Sequence, residues 1–212
     1  MAERLAFLRG GHAEEALLVG WICLLAHSLF VPVLPLVPAL GYLVAVARAT
    51  IDDESALPPV DLRALVSDGA AASAVCLGYG LVPLAVGAVT VSLASGTAVD
   101  PTGGASPLFL LGSTTTLFVV LAGLYALPIA LCASARGGIR AALPGRPFLR
   151  VAGHAAYFVG WTGGVVLFAL GVAAGGVVER LPVAGPVLAP LVRWVVVLAA
   201  TRRLAAAYRA AR

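Results

Sequence analysis

The sequence predicts an all-α protein: a polytopic bundle of about six transmembrane helices, with short cytoplasmic interfacial helices between them. Three observations predict it. Hydrophobic residues make up 61% of the 212-residue chain and charged residues 11%, and the mean hydropathy is +1.01. A soluble domain is nearer one quarter charged, so there is too little polar material for a water-facing shell. The apolar residues also fall in long runs, and about 20 such residues in a helix cross the hydrocarbon core. Finally, every cation is an arginine, and the arginines stand beside those runs. Without interleaved aromatics on one polar face, that placement fits membrane flanks and not nucleic acid, despite a net charge of +4 and a pI near 9.3.

The elements follow in order. Residues 16–34 form a first span; Glu14 and Glu15 interrupt its approach, and the run over 16–47 is too long for a cleavable leader. Pro32, Pro35 and Pro38 break the chain, since proline removes a backbone donor inside a helix. Residues 36–50 are a short span, or a re-entrant segment. An acidic stretch follows, in which Pro58-Pro59 stops any helix and Asp61 caps a short surface helix, "LRALVS". Residues 70–94 span, 95–107 form a Gly/Pro/Ser loop, and 108–133 span again. A basic loop, "SARGGIRAALPGRPFLR", leads to a span over 151–177, then a short turn and a last span ending near Tyr208.

Arginine placement sets the orientation. Arg136, Arg140, Arg146 and Arg150 put their loop in the cytoplasm, and the acidic linker with Arg48 and Arg63 joins it there. The expected localisation is the cell membrane, multi-pass, with both termini cytoplasmic. The whole chain, 1–212, reads as one membrane domain with a weak internal repeat, its units near 36–94 and 108–177. "ALPPVDLRALVSDGAA" and "ALPGRPFLRVAGHAAY" echo one another, as do "YGLVP" and "YALP". Repeats of this kind occur in transporters and in plain bundles.

Few residues carry candidate chemistry. Asp52, Asp53 and Glu54 are consecutive, so they cannot converge as ligands on one helix face, and calcium-loop spacing is absent. They read as a solvated connector or a partner-binding loop. Arg193 is the one clear charge inside a span; it snorkels outward, pairs with Glu179, or contacts a lipid phosphate or anionic solute. Ser113, Thr114, Thr115 and Thr116 make a polar notch that bonds back to its own helix or lines a solute path. Gly160, Gly164, Gly171 and Gly175 share one helix face and predict close helix packing. Pro83 and Pro128 predict kinks. The three cysteines lack paired spacing and the histidines lack HExxH spacing, so no metal site, disulfide or cofactor is expected. With no carboxylate in any span and no nucleophile motif, no catalytic residues and no enzyme activity are expected.

The stretch "PALGYLVAVARATIDDESALPPVDLRALVSDGAAASAVCLGYGLVP" resembles the domain-of-unknown-function family 4013. The shared features are a proline-rich break, Gly41-Tyr42-Leu43, Arg48, an acidic linker, Leu57-Pro58, and Asp68-Gly69 before a span with Tyr79 and Pro83. The tail from "YFVGW" to "VLAATRRL" is similar to that family's ending. The chain departs at Val60-Asp61-Leu62, where a tryptophan is expected, and at Arg193-Trp194. The resemblance implies an uncharacterised, mainly archaeal, multi-pass membrane protein. It supplies topology and no activity. Together the readings point to a non-catalytic membrane module that binds lipid or a partner protein. The alternative is a transporter or channel for a small or amphipathic solute.

Overall fold

The computed structural model describes residues 12–29, 33–95 and 107–212. These residues form seven α-helices and no strand. In order they are α1 (Ala13–Leu29), α2 (Leu36–Ile51), α3 (Leu62–Ser95), α4 (Pro107–Gly137), α5 (Arg146–Ala152), α6 (Ala155–Glu179) and α7 (Gly185–Ala211). A single 3₁₀ turn, Ile139–Ala142, joins α4 to α5. The expected loop at 95–107, the leader arginines Arg4 and Arg9, and Pro32 lie almost wholly outside the described residues.

Local signals account for most boundaries. α2 starts directly after Pro35, its N-cap, and takes Pro38 into its first turn, where no helical N–H partner is lost, so the expected break stops at Pro35. Asp61 caps α3, its Oδ1 accepting from the N–H of Arg63 at 2.9 Å and of Ala64 at 3.3 Å. Two expectations need correction. "LRALVS" is not a separate surface helix; it runs without a break into the following span, giving one helix of 34 residues. Only Asp68 and Gly69 stand between them, and neither stops a helix as proline does. The expected span over 151–177 begins later, at Ala155: Val151 and Ala152 end the short α5, and the chain breaks at Gly153-His154. His154 takes an extended conformation and accepts the Ala156 N–H at its Nδ1, 3.2 Å away, so it caps α6.

Among the described residues, three helical segments are long and apolar enough to cross a membrane: Leu62–Ser92, Leu110–Gly137 and Ala155–Glu179. Their most apolar windows are only 6%, 17% and 17% buried, so their side chains face outward, toward lipid in a membrane protein. Leu77, Leu81 and Leu84 of α3, Leu117 and Phe118 of α4, and Leu170 of α6 are among the large apolar residues left exposed. α3 and α4, at 34 and 31 residues, reach about 51 and 46 Å at 1.5 Å per residue, beyond the ~30 Å hydrocarbon core.

α2 is the reverse case. At 16 residues it is the shortest of the apolar helices, yet nine of its residues are buried. It packs on α1, α3, α4 and α7, so it is an interior helix. Tyr42 and Trp194 are enclosed together, rings 6.2 Å apart, with Leu65 and Leu198 around them. The Trp194 indole N–H donates to the Ala16 carbonyl at 2.9 Å, which ties α1 to α7. A second buried cluster joins Ile129 and Cys132 of α4 to Tyr157 of α6 and to Ala205 and Tyr208 of α7.

Candidate functional site

The acidic stretch forms a clasp at one end of the bundle. α2 ends at Ile51; the Glu54 N–H then reaches back to the Ala49 carbonyl at 2.9 Å, with Asp53 between them at φ +68°. That left-handed residue closes the helix in the way glycine usually does, and Asp is among the residues that tolerate it. The turn sends the consecutive carboxylates apart. Asp52 meets Arg136 of α4 at 3.3 Å, and Asp53 pairs with Arg209 of α7. Arg202 of α7 donates to the backbone carbonyls of Ser55 (2.8 Å) and Glu54 (3.3 Å), while the Glu54 side chain stays exposed. Arg48 pairs with Asp68 of α3 at 3.1 Å and donates from Nε to the Ala135 carbonyl at 2.6 Å. One end of α2 is thus tied to α3, α4 and α7.

Three tyrosines reinforce the same end. Tyr42 donates to the Pro58 carbonyl at 3.0 Å, Tyr79 to that of Ala142 at 2.7 Å, and Tyr125 to that of Ala152 at 2.7 Å. Each hydroxyl satisfies a carbonyl in a connection or at a helix end, where the backbone lacks its own partner. Among the described residues, no group of three His, Cys, Asp or Glu side chains lies close enough together to hold a metal ion. Cys23, Cys76 and Cys132 are free thiols.

Arg193 pairs with Glu179 across the turn between α6 and α7. It also lines a cavity of about 270 Å³ with Leu24, His27, Ser28, Phe168 and Pro190. The Nδ1 of His27 is buried there without a hydrogen-bond partner among the described residues. Ser113 to Thr116 do not line that cavity. Ser113 bonds to the Leu110 carbonyl and Thr115 to that of Leu111, 3.1 and 2.8 Å away on their own helix. Thr116 meets Thr90 of α3 at 3.0 Å, and Thr114 is exposed. The notch is in part an α3–α4 contact, separate from Arg193.

The glycine face of α6 lies against α7. A Cβ at Gly160 would stand 2.2 Å from Ala207, at Gly164 3.0 Å from Leu204, at Gly171 2.1 Å from Val196 and at Gly175 2.7 Å from Arg193. Gly163 was not among the expected positions, yet it makes room for the Arg203 guanidinium, 2.2 Å from a Cβ built there. Sequence reasoning also missed the arginine partners. Arg136 and Arg209 counted only as charges on one side of a membrane, and nothing local links them to Asp52 or Asp53. Arg48 and Asp68, which flank one linker, were the pair most open to inference.

The family described as protein of unknown function (DUF4013) matches residues 24–179. The match takes in well over half of the chain, from within α1 to the end of α6, and the chain belongs to this family. The likeness of the tail beyond Glu179 lies outside the matched residues. No curated protein and no solved structure matches the chain.

Proposed function

We propose that this DUF4013 member is a non-catalytic, multi-pass module of the cell membrane. It crosses six times, keeps both termini on the cytoplasmic side, and associates with lipid or a partner protein. The gathering of loop charge at one end carries this reading. Asp52, Asp53 and Asp68 are held by Arg136, Arg209 and Arg48 where α2, α4 and α7 end, while the apolar lengths of α3, α4 and α6 face outward. Arginine-rich loops belong on the cytoplasmic side. Carboxylates paired in this way serve as structural ties, which supports a non-catalytic reading of that end.

Single cysteines test the topology, in a background lacking Cys23, Cys76 and Cys132. Placed at Asp53 and Gly145, they resist an impermeant thiol reagent in intact cells, and one at Thr102 reacts. Labelling at Asp53 from outside contradicts the six-crossing arrangement. The transport alternative draws on the cavity holding His27 and Arg193. A stoichiometric small molecule seen by native mass spectrometry, and lost in Arg193→Ala, would favour it. Protein released without one favours the module.

A further inference from the structure

We propose that a second cavity, at the clasp end, binds the phosphate-bearing headgroup of an anionic lipid. This deepens the membrane-module reading and rests on it. The cavity measures about 520 Å³ and lies where α4, the 3₁₀ turn, α5 and α7 meet. Arg136, Arg140 and Arg212 line it together with Tyr208, over apolar residues that include Ile129 and Phe148.

The charges do not balance within the protein. Asp52 holds Arg136 at 3.3 Å, but the side chains of Arg140 and Arg212 form no ion pair or hydrogen bond with the described residues. Three arginines line a concave site and a carboxylate pairs with only one of them, so the site favours an anion. Guanidinium forks match phosphate oxygens in geometry as well as charge. The apolar floor separates the two sources of that chemistry. A free phosphate ester gains nothing from Leu143 and Phe148, which also line the cavity and keep apolar surface open, whereas the first carbons below a lipid headgroup do.

The surroundings point the same way. Ile139, Leu143 and Leu149 are 51%, 66% and 65% exposed on the connection that also carries Arg140, Arg146 and Arg150. Apolar side chains standing free among arginines at a bundle end suit the boundary between headgroups and acyl chains. Basic pockets at such a boundary take lipid headgroups.

The test is native mass spectrometry of the full chain in detergent with phosphatidylglycerol, phosphatidylcholine or glycerol phosphate added. The wild type retains phosphatidylglycerol in preference to phosphatidylcholine and does not retain glycerol phosphate. Arg140→Ala with Arg212→Ala weakens that retention on the order of tenfold or more, at about fivefold per arginine. Both residues are exposed, so the helical circular dichroism should not change. Arg63→Ala with Arg150→Ala removes the same charge outside the cavity and leaves retention intact. Equal loss in this control, equal retention of phosphatidylcholine, or equal binding of glycerol phosphate overturns the proposal. A chain that passes the cysteine test yet retains no phosphatidylglycerol loses the headgroup site alone and keeps the membrane module.

Discussion

Gly160, Gly164, Gly171 and Gly175 of α6 each press on a residue of α7, whereas Gly78 and Gly80 of α3 have no other group within 4 Å of where a Cβ would stand. The two helix pairs, α6–α7 and α3–α4, draw on the same glycine, alanine and leucine stock. In the first, missing side chains let two helices approach, and dispersion contacts replace the lost volume. In the second, α3 and α4 meet through Thr90, Gly112 and Thr116, with an apolar groove of about 520 Å³ beside Gly78, Tyr79 and Gly123. The difference shows that glycine content alone does not reveal packing. What matters is whether the glycines repeat on one face and whether a partner of fitting bulk lies opposite.

Thermal unfolding of the protein in lipid nanodiscs distinguishes the two helix pairs. Gly171→Leu drives a branched side chain into Val196 and should cost about 3 kcal/mol. A neutral result would mean that α6 and α7 are not held as described. Gly160→Ala places its methyl against Ala207 and should cost about 1–2 kcal/mol, with Ala207→Gly restoring much of it. Asp52→Asn weakens a half-exposed pair and should cost no more than about 1 kcal/mol, less at high salt. Gly80→Ala, in open space, should be neutral or stabilise by up to about 1 kcal/mol through helix propensity. If it destabilised as Gly160→Ala does, the α3 face would be packed and not lipid-exposed.

Hydropathy and punctuation made the helices legible. Pro35, Pro58-Pro59 and Asp61 set boundaries that the structure keeps. The break at Gly153-His154 was hidden because "VAGHAAYFVGW" is apolar on both sides, and a capping histidine looks like any lone histidine. The Glu179–Arg193 pair was open to inference because a short turn joins its helices. The Asp53–Arg209 pair, 156 residues apart, was not, since it depends on where α7 lands against α2. The tyrosine bonds to Pro58, Ala142 and Ala152 were hidden for the same reason. Tyr79 and Tyr125 stood out as an echo in the sequence, but only the fold gives them carbonyls to reach.

On this reading, lipid is the solvent of the outward faces of α3, α4 and α6. A nitroxide attached at Leu81→Cys, in the cysteine-free background in liposomes, tests it directly, because Leu81 is 62% exposed on α3. Paramagnetic collision measurements should show strong relaxation by oxygen, which concentrates in hydrocarbon, and little by a water-soluble nickel chelate. Relaxation dominated by the chelate would place Leu81 in water and contradict the account.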